Sequence, residues 1–269
     1  MAQEKKVIIV PWDATENCFF ALQHAASFAR KLDNEVLVLK FKCKKKTGPE
    51  KFKKAIDEVK NSGVEVTVKE GEGTIFHLPE NLEKFNVSLV VLRSEPVKGM
   101  QKYFGSRTLK IIHGSTHPFL VVKGAPRREE YANIVFPIDY TFESKEKLHW
   151  IKWLAKIYKT QIQIITPDIT DGVLRQKIKN NVIFAKNILN DEDINFEIIV
   201  GAGKGEFGKA IMNFANKVEA DLIMSMMPKD VGFKDYLSGA TTQRILDNPY
   251  NVPVFLINSR KLRKYGGFR

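Results

Sequence analysis

The chain has 269 residues, of which 43% are apolar, and a formal net charge of +12. That composition excludes a disordered polymer, and the length admits one large domain or two of ordinary size. No apolar run reaches the ~18 residues that would span a bilayer, so no membrane partner is expected.

From Lys6 to Pro11, KVIIVP is a short continuous apolar run, as suits a parallel strand buried on both faces. Asp13-Ala14-Thr15-Glu16 follows, with side chains that can cap a helix start. Phe20, Leu22, Ala25, Ala26, Phe28, Ala29 and Leu32 then fall largely on one helical stripe. Further strands are expected at Glu35 to Phe41, Val64 to Val68, Leu89 to Leu92 and Phe119 to Val122, and helices at Pro49 to Asn61, Ile75 to Phe85 and Gly105 to Ile112. Strands alternating with helices imply right-handed crossovers and a mostly parallel sheet.

Lys123 to Tyr131, KGAPRREEY, is polar and lacks periodicity, and so reads as a link between halves. The pattern then restarts. Asn133 to Pro137 repeats the first strand, Asp139 follows Asp13 at an offset of 126, and Glu143 to Tyr158 repeats the first helix. Strands are expected near Gln161 to Thr166, Asn195 to Val200, Asp221 to Met226 and Val254 to Asn258, with helices near Gly172 to Leu189, Phe207 to Val218 and Leu237 to Leu246. Gly105 has its counterpart in Gly239, and Pro118 in Pro253. A unit written twice implies two domains, expected at 1–124 and 132–259, with a linker at 125–131 and a basic tail at 260–269.

The surplus charge raises nucleic acid or an anionic surface as partners. The lysines gather between Lys40 and Lys54 and, with arginines, from Arg260 to Arg269, without the interleaved aromatics of a base-stacking platform. A solvated loop and tail are the expectation, and nucleic acid is not. Cys18 and Cys43 are too few for a disulfide framework. His113 and His117 have ligand spacing, but Gly114 and Pro118 interrupt the helix, so no metal is expected. The start, MAQEKKVIIVPWD, has too few apolar residues for a signal peptide, and a cytoplasmic protein is expected.

Each half resembles a universal stress protein domain, and the chain resembles a tandem of two. The features are the strand ending in Pro-x-Asp (Pro11 to Asp13; Pro137 to Asp139), the fourth strand (Val87 to Val90; Ala220 to Ile223), the Gly-Ser turn before a helix, and the closing strand introduced by proline. The resemblance implies two tandem Rossmann-like α/β domains of the adenine nucleotide alpha hydrolase-like type, each a five-stranded mostly parallel sheet flanked by helices. It implies an internal pseudo-dimer of the two domains, a stress-response role, and ATP as the cofactor of one branch of the family. A homodimer and an unidentified protein partner stay open. The ATP-binding pattern is Gly-x2-Gly-x9-Gly-Ser/Thr, whose glycines let backbone amides and a helix N-terminus approach phosphates.

This sequence keeps the end of that pattern and loses its start. Gly105 and Ser106 remain, but Leu92 and Glu95 stand where glycines are expected, with Pro96 next. In the second half Gly239 is followed by Ala240, and Ser225 to Lys229 contains no glycine. The family holds adenine by backbone groups after the second strand, near Phe41 and Pro167 here, and proline has no N–H to donate. The candidate nucleotide-binding residues are Asp13, Gly105, Ser106, Asp139 and Gly239, each of which could instead serve a turn or cap.

A rival reading lies at Gly203 to Lys209, which matches GxGxxG through Gly203, Gly205 and Gly208 and GxxxxGK through Lys209. Ala210 stands where magnesium would need Ser or Thr, so a P-loop hydrolase is a distant alternative. No Ser/His/Asp or Cys/His set is indicated, and no catalytic residues are expected. The leading expectation is a non-catalytic regulatory protein with degraded phosphate loops; the alternative is an ATP-binding switch using the first crevice.

Overall fold

A computed structural model describes residues 5–12, 18–42, 48–94, 106–203, 207–227 and 236–258. The chain divides into two compact units, Met1–Glu129 and Glu130–Arg269.

In the first unit the elements run β1 (Val7–Trp12), α1 (Cys18–Leu32), β2 (Glu35–Lys40), α2 (Pro49–Asn61), β3 (Val66–Glu70), a 3₁₀ turn (Ile75–His77), α3 (Leu78–Leu82), β4 (Val87–Arg93), α4 (Ser106–Gly114) and β5 (Phe119–Val122). The strands are parallel and ordered β3-β2-β1-β4-β5. All six residues of β1 are buried, as its continuous apolar run requires of a strand covered on both faces. Ile8, Ile9 and Val10 are wholly inaccessible, each such side chain contributing about 1.5–3 kcal/mol by its removal from water.

The second unit repeats the plan with β6 (Asn133–Pro137), α5 (Glu143–Ile157), β7 (Gln161–Asp168), α6 (Gly172–Asp191), β8 (Phe196–Gly203), α7 (Phe207–Lys217), β9 (Leu222–Met227), α8 (Tyr236–Leu246) and β10 (Val254–Asn258). Its parallel strand order is β8-β7-β6-β9-β10, the same topology. Phe136, Ile164, Ile223 and Phe255 form its centre at 0% exposure.

Local chemistry explains the departures from expectation. The helix expected over Ile75 to Phe85 is a 3₁₀ turn and a five-residue helix with Pro79 in its first turn. Asn81 competes for the backbone there, bonding the amide and carbonyl of Glu72 and the carbonyl of His77. At the end of α2, Gly63 takes φ +82° and donates to the carbonyl of Lys60, a left-handed stop that an L side chain resists. β7 continues through Pro167 to Asp168, with a register irregularity after Thr166.

The stretch expected to be a linker is held at both ends. His24, fully buried in α1, contacts the carbonyl of Gly124 at 3.0 Å, and the Ser27 hydroxyl donates to the carbonyl of Glu129 at 2.6 Å. Burial pushes the His24 pKa down to about 4 against the opposing pull of that carbonyl. Tyr131 is buried in the second unit, edge-on to Tyr158.

Candidate functional site

Open parallel sheets bind ligands at the carboxyl ends of their strands, where the order reverses. In both units that point is the end of the first strand, between its two neighbours.

In the first unit β1 ends at Trp12, buried against Phe19 of α1 at 5.4 Å and Phe52 of α2 at 4.7 Å, both edge-to-face. Phe41 follows β2 directly, with its ring against Gly71. A Cβ on Gly71 would lie 2.5 Å from its ring, so only glycine fits beside it. The Phe41 amide donates to the Trp12 carbonyl at 2.9 Å, which commits to the sheet the backbone N–H expected to face adenine. Asp13 and Gly105 lie outside the described residues, as do Glu95 and Pro96. Ser106 is the first residue of α4.

In the second unit Asp139 is well placed to be seen at work. Its Oδ1 accepts from the Thr141 amide at 2.9 Å, the Thr141 hydroxyl at 2.5 Å and the Ser144 hydroxyl at 2.8 Å. Its own amide donates to Ser144 Oγ at 3.1 Å. Asn181 of α6 reaches across to donate to the carbonyls of Asp139 at 2.8 Å and Thr141 at 2.9 Å. The loop after β6 is thus tied to α5 by Ser144 and to α6 by Asn181.

Lys147 completes this network. It is 6% exposed, on the buried stripe of α5 with Ser144, Leu148, Ile151 and Leu154, and its ammonium donates to the Pro137 carbonyl above the ring of Phe136. Burial pushes its pKa down to about 8, against the opposing attraction of Asp139 and then Glu143. Sequence reasoning missed Lys147, Ser144 and Asn181. The available signal was a lysine on the apolar stripe of α5, a position where a charge needs a partner.

Gly239 does not open its helix as Gly105 was expected to do. It lies in the first turn of α8, which begins at Tyr236. Further along, the Thr242 hydroxyl donates to the Met226 carbonyl at 2.9 Å and ties α8 to the end of β9. The segment between them, 228–235, lies outside the described residues.

The glycines near the rival motif have packing explanations. A Cβ on Gly208 would stand 3.2 Å from Cβ of Arg244, where α7 crosses α8, and one on Gly201 would stand 2.8 Å from the Thr166 carbonyl. Gly205 lies outside the described residues. Among the described residues no group of three His, Cys, Asp or Glu side chains could hold a metal, and no helix is long and apolar enough to cross a membrane.

No protein-family model matches the chain, and no curated protein matches it. Solved structures do. A universal stress protein from Archaeoglobus fulgidus DSM 4304 aligns over 95% of this chain and 99% of its own, with a TM-score of 0.72 and 17% identity. The fold is that of the universal stress proteins. A protein of unknown function from Pseudomonas aeruginosa PAO1 shares it, with a TM-score of 0.70 and 15% identity over 94% of this chain and 92% of that one. The universal stress protein fold is present here in two tandem Rossmann-like units, and Asp139 and its partners occupy the switch point of the second.

Proposed function

We propose that the chain is a non-catalytic regulatory protein of the tandem universal-stress-protein type, in which the second crevice serves the fold. The observation that carries this reading is the state of Asp139. Three donors of the chain converge on its Oδ1, and the buried ammonium of Lys147 stands close by, so the carboxylate is already engaged in holding its own loop to α5. Pro167, with no N–H for adenine, supports the same conclusion. The departures Glu95 and Pro96 in the first half, and the glycine-free Ser225 to Lys229 in the second, support degraded phosphate loops in both. A cytoplasmic stress response, an internal pseudo-dimer of the two units and an unidentified protein partner belong to this reading, through the fold shared with the Archaeoglobus protein.

A second reading keeps an ATP-binding switch in the first crevice. It is favoured by Ser106, which opens α4 where a helix N-terminus would meet phosphate. Calorimetric titration of ATP with magnesium into nucleotide-free protein separates the two. The proposal expects no saturable heat in the wild type or in Asp139→Ala. Saturable binding abolished by Asp13→Ala and kept by Asp139→Ala would replace it with the switch.

A further inference from the structure

The two outer strands of the repeated sheets differ in a way that points to a contact surface. In the first unit the outer strand β3 has five residues and ends in Lys69 and Glu70. Lys69 covers the ring of Phe85 at 5.1 Å, and Glu70 pairs with Lys40 at 3.1 Å. Charges on a short edge are the usual protection against strand addition. In the second unit the outer strand β8 has eight residues, and Glu197 is its one charged residue. Val200 is 66% exposed and Ile198 39%, on one face of the strand, and the helix leading into β8 exposes Ile183 and Phe184 as well. The second unit thus lacks the protection that the first one has.

We propose that β8 is a self-association surface, on which the β8 of a second copy of this chain adds antiparallel about a twofold axis. The backbone fixes the register. The Ile162 amide donates to the Asn195 carbonyl, so residues 195, 197 and 199 turn their polar groups toward β7, and 196, 198 and 200 turn theirs outward. Two copies can pair only by bringing the outward set of one against the outward set of the other. Centring the axis on Ile199 puts Ile198 opposite the second copy's Val200, so the exposed apolar side chains meet across the seam. It also puts Glu197 opposite the second copy's Gly201, whereas an axis through Glu197 would face two carboxylates. The strand can therefore pair with its own copy without facing like charges, as an isologous contact requires. A strand pair alone falls short of the ~1,200 Å² of a stable interface, so the association expected from this edge is weak. The net charge of +12 opposes the approach of two copies, so association strengthens as salt screens it.

The test is sedimentation equilibrium of the full-length chain at low and high salt, with the variants Val200→Pro and Ile198→Lys and a control, Val68→Lys, on β3. The Val200 amide faces away from β7, so proline there removes an intermolecular donor and leaves the intrachain ladder whole. The wild type and Val68→Lys are expected to form a dimer favoured by salt. Each β8 variant, with a wild-type circular dichroism spectrum, is expected to raise the dimer dissociation constant at least about tenfold, or 1.4 kcal/mol. A monomer under all conditions would overturn the proposal, and so would a dimer that both β8 variants leave unchanged.

Discussion

At the carboxyl end of its first strand, the first unit has an aromatic cluster of Trp12, Phe19 and Phe52, and the second has the polar group of Asp139, Thr141, Ser144, Lys147 and Asn181. The offset that relates Asp13 to Asp139 relates Ala21 to Lys147, so α1 has a small buried residue where α5 has a buried cation. The sheets below are the same in order and direction. The two units thus share the layers that bury apolar surface and differ at the strand ends, where side chains decide whether a crevice is open to ligand or filled from within.

Three changes would break or sharpen this contrast. The largest expected effect is on the aromatic side: Trp12→Ala removes a buried indole from between two rings and should cost about 3–5 kcal/mol, read by denaturant unfolding. Next is Lys147→Met. The folded state holds this lysine near pKa 8, below its ordinary 10.5, so between those pH values the unfolded chain binds the proton more firmly and stability rises with pH. Below pH 8 both states hold the proton, and the cost of burying the charge is present in full. The stability of the wild type relative to Lys147→Met should therefore improve by about 3 kcal/mol from pH 8 to 10.5. A pH-independent difference would show the amine to be solvated. Asp139→Ala, which leaves the Thr141 and Ser144 donors without their acceptor, should cost about 2 kcal/mol. A neutral outcome there would mean that the carboxylate does not hold the loop.

The fold was largely legible because its signals are local. The apolar runs of β1 and β6, the helical stripe of α1 and the proline that introduces each closing strand follow from periodicity and backbone chemistry. The break at Ile75 to Leu82 could have been suspected from Pro79, but the competing bonds of Asn81 depend on where Glu72 comes to lie. The site was legible only as a position. Asp139 could be singled out by its place after β6. Whether it would face a ligand or Thr141 and Ser144 depended on how the loop closes, and Asn181 reaches it from 42 residues away in sequence. Lys147 was visible as a charge on an apolar stripe, yet its partner is a backbone carbonyl with no sequence signature.

The most direct measurement is an NMR pH titration of the lysine side chains in the intact protein, with Lys147 assigned by its loss in Lys147→Met, repeated in the presence of ATP and magnesium. A crevice closed by its own network predicts one lysine titrating near pH 8 and unmoved by nucleotide. Titration near the ordinary 10.5, or a shift of the Lys147 signal on adding nucleotide, would contradict it and restore the second crevice as a binding site.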